Sequence, residues 1–177
     1  RGSKYHSLCI EASLRADDKD PAQKGESVFF GKWSSPEFVN RIRSNVAYHS
    51  RTPAPNTEWK LKLPTRLSRT HHILFKISGI STKPDKKSSS HSNVENIAAY
   101  AVLPLFENDM IVSHNSGDHH ALPIFLSKGI APGYLNYVND DQYKMYDGGK
   151  PALQLKIRLE SSLYPQDPYL SHFFKVF

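Results

Sequence analysis

The chain has 177 residues, of which 38% are hydrophobic and 11% aromatic, enough apolar material for a packed core and too much for wholesale disorder. Its 23 Lys and Arg against 17 Asp and Glu leave a net charge of +6, an excess that suits anionic partners such as phosphates, nucleic acid or acidic lipid without choosing among them. A lone cysteine, Cys9, excludes an internal disulfide framework and a multi-cysteine zinc site, and favours a reducing, cytoplasmic setting.

The chain opens without a Met start and without an apolar leader, so it reads as a soluble piece of something larger. Ser7 to Leu14 and Ser27 to Phe30 are the first strand candidates. Ser35-Pro36-Glu37-Phe38 has the pattern of a helix start, which predicts a short helix running to about Arg43. Asn45 to His49 is again strand-like. Trp59-Lys60-Leu61-Lys62-Leu63 alternates, with Trp59, Leu61 and Leu63 on one face and two lysines on the other. His72 to Ser78 follows, and then a polar, basic, serine-rich loop from Lys83 to Asn93. Ile97 to Leu103 is almost continuously apolar, as in a strand covered on both faces. Even extended to Phe106 this run is far short of the roughly 20 residues of a membrane-spanning helix, and Pro104 breaks it. Asp147-Gly148-Gly149 marks a turn ahead of Leu153 to Leu159, whose four aliphatics alternate with polar residues. Short strands with turn-rich connections predict an all-β fold, an antiparallel β-sandwich spanning residues 1–160. Residues 161–177 lose the alternation and are expected to begin a following helical region.

Strands that reverse direction alternate their connections between the two ends of a sandwich. With Asn45 to His49 as the effective successor of Ser7 to Leu14, the segment before Ser7, the connection Ser50 to Thr57 and the connection Ile80 to Glu95 share one end. Arg1, Lys4, Arg51, Lys83, Lys86 and Lys87 then converge, opposed only by Asp85 and Glu95. Flexible lysines at a loop end suit multivalent phosphate, although such a loop is also compatible with a simple solvated linker. The opposite end carries Asp17, Asp18 and Asp20 together with Arg66 and Arg69. A second basic surface would form if the polar faces of Lys60 and Lys62 and of Lys156 and Arg158 lay close together.

No catalytic centre emerges. The pairs His71-His72 and His119-His120 are neighbours on strands and point to opposite faces, so each is read as one buried and one exposed imidazole rather than a metal chelate. Asp17, Asp18 and Asp20 lack the glycine and bidentate glutamate of a calcium loop, and Asp140-Asp141 is isolated. No phosphate-cradling Gly-rich motif and no nucleophile elbow is present, and Cys9 sits in an apolar strand, where it packs. The expectation is a binding module with no cofactor, no metal and no catalytic residue.

Several stretches are familiar in their order and spacing. They are Val28-Phe29-Phe30-Gly31-Lys32 with Ser35-Pro36-Glu37-Phe38, then Tyr48-His49-Ser50-Arg51-Thr52-Pro53, Lys60-Leu61-Lys62-Leu63-Pro64 and His71-His72-Ile73-Leu74-Phe75. Pro132-Gly133-Tyr134-Leu135, Glu160-Ser161-Ser162, Gln166-Asp167 and Phe173-Phe174 complete the set. Together they resemble the C2-type first homology region of the dedicator-of-cytokinesis family of Rho GTPase exchange factors, in its Zir and zizimin branches. The resemblance implies an antiparallel C2-type sandwich of about eight strands that binds phosphoinositides through loops at one end, calcium-independently. It also implies a following helical repeat region and a separate exchange domain acting on Rac or Cdc42 through which a Rho-family GTPase would be engaged. By position, Lys4 matches the basic residue closing the first lipid-facing loop, Lys83, Lys86 and Lys87 fall in the third, and Arg51 lies in the loop between. Two departures stand out: Ala54-Pro55 replaces the family's acidic-aromatic pair, and an expected first strand is missing before Arg1.

The leading expectation is therefore a phosphoinositide-binding module, cytoplasmic and peripherally recruited, that targets an exchange factor to membranes. The alternative is an interaction scaffold packing on neighbouring domains of the same chain or on a dimer mate through faces flanked by Tyr134, Tyr137, Tyr143 and Tyr146, with the lysine loop inert. No specific nucleic-acid partner is expected, since no aromatic stacking platform is interleaved with basic residues on one strand face.

Overall fold

The computed structural model describes residues 7–31, 37–48, 57–80, 95–107, 110–113, 119–139, 143–150 and 153–160, with 167 and 169. In chain order the strands are β1 (Ser7–Arg15), β2 (Phe29–Phe30), β3 (Phe38–Val39), β4 (Ile42–Arg43), β5 (Ala47–Tyr48), β6 (His72–Ile80) and β7 (Glu95–Pro104). The short β8 (Phe106–Glu107), β9 (Met110–Ile111), β10 (His120–Leu122), β11 (Phe125–Leu126), β12 (Lys144–Met145) and β13 (Leu153–Leu155) follow. Two 3₁₀ turns, Tyr134–Asn139 and Tyr146–Gly149, lie on either side of β12.

The principal sheet has the order β12-β11-β7-β6-β1-β4, with β5 also on β1, and every pairing is antiparallel. Its centre is β1, β6 and β7, nine or ten residues each and paired over their whole length. Smaller antiparallel pairs, β10–β13, β2–β3 and β8–β9, complete the β-structure. The alternating segment 59–63 lies against β2 through a Phe29–Leu61 bridge. The Phe30 N–H donates to the Lys60 carbonyl at 3.0 Å and the Lys62 N–H to the Val28 carbonyl at 2.9 Å. The described residues form an all-β, antiparallel arrangement of the C2-type sandwich class.

Pleating sorts the central strands into two faces. Leu8, Ile10, Ala12 and Leu14 of β1, Ile73, Phe75 and Ile77 of β6, and Ala99, Ala101 and Leu103 of β7 share one buried core with Phe29, Leu122, Ile124 and Leu153. Trp59, Leu61, Leu63, Leu155 and Ile157 pack on that core while Lys60, Lys62, Lys156 and Arg158 stay exposed, as the alternation predicts. The other face carries a second cluster, in which Leu74, Tyr100, Val102 and Phe125 are covered by Tyr134, Tyr137 and Tyr143. Phe125 lies 4.5 Å, ring centre to ring centre, from Tyr137 and 5.1 Å from Tyr143.

Three expectations are corrected. The helix predicted to run to about Arg43 gives way to β3 and β4: Phe38–Val39 pairs with Phe29–Phe30, and Ile42–Arg43 with β1. Long-range pairing of these aromatic and β-branched residues outweighs the local start signal. Tyr134, Tyr137 and Tyr143 are not an interaction face but core, exposed by 1%, 6% and 8%. His71 and His72 are both buried, rather than one in and one out. The reason is that His71 sits just before β6, where a loop closes over it: the Ser68 N–H donates to its Nδ1 at 2.9 Å, and its Nε2 faces Glu26 at 3.3 Å. Residues 161–177, where a helical region is expected, fall outside the described residues except for 167 and 169.

Candidate functional site

Full-length antiparallel pairing fixes where the connections leave the sheet. Ser7 pairs with both Tyr48 and Ile80, and Ile80 with Glu95. The beginning of β1, the ends of β5 and β6 and the beginning of β7 therefore stand side by side at one end, across about 15 Å at the usual strand spacing of about 4.8 Å. The β2–β3 hairpin between β1 and β4 adds an even number of strands, so the alternation of ends is preserved. Lys4, Arg51, Lys83, Lys86 and Lys87 lie outside the described residues. In sequence, Lys4, Arg51 and Lys83 each stand three residues from one of these four strand ends.

The opposite end, where Arg15 pairs with His72 and His72 with Pro104, is tied down by polar contacts. Asp18 accepts the Gly133 N–H on its carbonyl at 2.9 Å and the Leu135 N–H on Oδ2 at 3.1 Å. Asp17 and Asp20 accept the N–H groups of Lys19 and Ala22 within their own turn. The buried Arg15 donates through Nη1 to the Gln23 carbonyl. His72, fully buried, has Nδ1 at 2.7 Å from the Thr70 carbonyl and Nε2 at 2.7 Å from the Tyr134 hydroxyl. A carbonyl only accepts, so Nδ1 carries the proton and Nε2 takes the tyrosine O–H. Burial pulls His72 below the usual histidine value and pushes Tyr134 up to about 12, which suits this neutral pair. This end is a structural lock. Among the described residues no group of three or more His, Cys, Asp or Glu is placed to hold a metal.

A charged row crosses the outer face of the principal sheet, and the sequence reading passed over it. Glu11 on β1 stands opposite Arg43 on β4 and opposite Lys76 on β6. The Glu11 carboxylate, its side chain 10% exposed, lies 2.8 Å from Arg43 Nε and 3.8 Å from Arg41 Nη1. Those guanidinium side chains remain 65% exposed at Arg41 and 51% at Arg43. Burial lowers the Lys76 ammonium pKa, Glu11 raises it, and Arg15, Arg41 and Arg43 lower it further. The signal available in the sequence was an acidic residue between the apolar Ile10 and Ala12 of a strand.

An all-β antiparallel arrangement in which the beginning of β1, the ends of β5 and β6 and the beginning of β7 stand together at one end defines a C2-type β-domain. The family model for the C2 domain in Dock180 and Zizimin proteins matches residues 1–169, and the chain belongs to that family. It is 30% identical over 161 residues to human dedicator of cytokinesis protein 8, covering 88% of this chain and 7% of that protein. It is 29% identical over 177 residues to human dedicator of cytokinesis protein 9, covering 95% and 8%. Zebrafish (Danio rerio) dedicator of cytokinesis protein 11 is 29% identical over 168 residues, 89% of this chain and 8% of its own length. The chain thus spans less than a tenth of these relatives. No helix among the described residues is long and apolar enough to cross a membrane.

Proposed function

We propose that this domain is a calcium-independent phosphoinositide- and acidic-membrane-binding module that recruits a Rho-family guanine nucleotide exchange factor from the cytoplasm to membranes. The observation that carries the proposal is the side-by-side placement of the four strand ends at Ser7, Tyr48, Ile80 and Glu95. Lys4, Arg51, Lys83, Lys86 and Lys87 belong to the three segments that leave from those ends. Near an anionic bilayer each such residue contributes about 1 kcal/mol, so five form a usable and salt-sensitive attraction. Calcium has no part in this reading, because Asp17, Asp18 and Asp20 belong to the opposite end and hold backbone N–H groups there. The exchange reaction itself, on Rac or Cdc42, would belong to a separate domain of the longer protein.

The test is sedimentation with liposomes carrying mono-, bis- or trisphosphorylated phosphoinositides, comparing the parent with Lys83→Ala/Lys86→Ala/Lys87→Ala. Headgroup-selective retention that the triple variant loses is the expected result. Retention that follows only total lipid charge, or that survives the three substitutions, overturns it.

A second reading, an interaction scaffold, draws on one observation of its own. Phe30 is 52% and Phe38 37% exposed, and their rings meet edge to face at 4.9 Å on the β2–β3 hairpin. Lys62 sits 5.6 Å over the Phe38 ring. Were loop neutralisation to leave membrane recruitment intact, this hairpin would be the surface to substitute next.

A further inference from the structure

The row across β4, β1 and β6 holds more positive charge than its structural role needs. Glu11 Oε2 already accepts from Arg43 Nε at 2.8 Å, yet Arg41 also faces it and Lys76 stands on its other side. On this face Arg41, Arg43 and Lys76 stand around the one carboxylate of Glu11. Like charges gathered around a half-buried ammonium raise the energy of the sheet face, and an incoming anion relieves that cost.

We propose that the outer face of β4, β1 and β6 docks an extended acidic protein segment, whose carboxylates straddle Glu11 to meet Arg41 and Arg43 on one side and Lys76 on the other. Three features select this occupant. Glu11 sits at the middle of the row, so a compact polyanion would have to lie over a carboxylate. Arg43 and Lys76 are two strand spacings apart, about 10 Å, and two same-face residues of an extended chain, about 7 Å apart, cover that span with their side chains. A second copy of the same face would set cations against cations. The site also lies away from the end proposed to meet a bilayer: Glu11 is four residues in from Ser7, about 13 Å along the strand. That exceeds the Debye length of about 8 Å at physiological salt, so the two surfaces can be occupied independently.

The probe is a fluorescein-labelled octapeptide alternating Glu with Thr, titrated against the 177-residue chain and followed by anisotropy at low and physiological salt. Arg41→Gln/Lys76→Gln keeps Arg43 on Glu11 and is expected to weaken binding about ten-fold or more, with thermal unfolding confirming an intact fold. Lys60→Gln/Lys62→Gln, on the other basic strand, is expected to change it less than two-fold. The loop triple variant Lys83→Ala/Lys86→Ala/Lys87→Ala should leave it unchanged, so failure here is separable from failure of the membrane reading. Absence of binding by the parent, or equal loss in the Lys60/Lys62 variant, overturns the proposal. So would phosphatidylserine vesicles that depend on Arg41 and Lys76 while the peptide does not bind, because the face would then be a lipid site.

Discussion

The lock between His72 and Tyr134 gives a sharp stability prediction. Tyr134→Phe removes only a hydroxyl, but that hydroxyl is the donor to a fully buried imidazole nitrogen at 2.7 Å. A buried acceptor left without a donor costs about 1–3 kcal/mol, and at about 2–4 °C per kcal/mol for a chain of this size a 2 kcal/mol loss lowers Tm by about 4–8 °C. Acid should unfold the parent by the same route. Burial holds His72 below its ordinary 6.5, so as pH falls below 6.5 the unfolded chain binds a proton that the folded chain does not. Stability is then fully present above 6.5 and declines below it, by at most about 1.4 kcal/mol per pH unit for one histidine. His72→Phe should flatten that acid slope. His72→Phe/Tyr134→Phe should cost less than the two single losses combined, since both partners are removed together and the edge-to-face ring pair is kept. Urea unfolding of the four proteins between pH 5 and 8 reads all of this. A silent Tyr134→Phe, or an acid slope unchanged by His72→Phe, would show that the contact does not hold the turn to the sheet and would refute the reasoning.

Two further substitutions probe packing. Gly25→Ala would place a methyl 2.7 Å from the Asn40 carbonyl, 2.9 Å from Ser13 Cβ and 3.0 Å from the Leu14 carbonyl; two of the three are backbone and cannot step aside, so a loss of about 1–3 kcal/mol is expected in chemical denaturation. Leu14→Ala, at a fully buried position, should cost about 3 kcal/mol and lower Tm by about 6–12 °C, whereas Phe30→Ala, half exposed on its hairpin, should shift Tm by no more than a few degrees; equal losses in differential scanning fluorimetry would contradict the assignment of core and surface.

What the sequence made legible was what local pattern encodes. The apolar runs that became β1, β6 and β7 were visible because a strand covered on both faces needs continuous hydrophobicity. The faces of 59–63 and 153–159 were visible because a pleat alternates. The turn at Asp147-Gly148-Gly149 was visible because all three residues adopt positive φ, where glycine is at ease. The two-residue strands β8, β9, β11 and β12 carry too few residues for any period to show. The tyrosines were misplaced for a different reason: Tyr134, Tyr137 and Tyr143 lie in loop-like sequence, and only the fold reveals that they roof Phe125 and Tyr100. The same holds for the predicted helix, whose local signals are genuine but meet β2 and β1 in space.

The two proposed basic surfaces differ in how they are specified. Grouping Lys4, Arg51, Lys83, Lys86 and Lys87, which lie outside the described residues, needs only a strand count and is therefore an expectation that the sequence alone can state. The sheet-face cations need a register. Arg43 reaches Glu11 across 32 residues of chain, and a slip of one residue between β4 and β1 would turn Arg43 toward the core and Ile42 outward. Ile42 opposes that slip by packing against the main core. Ser44 opposes it too: its N–H donates to the Ile10 carbonyl at 2.8 Å, and its hydroxyl accepts the Ile10 N–H at 3.0 Å. These contacts lie where the strand is interrupted between β4 and β5, the place where the pairing would otherwise be most free to shift. The charged row is therefore held by apolar packing on one side of β4 and by a serine at its end. For this reason neutralising Arg41 and Lys76 should alter what the face binds without altering how the strand lies.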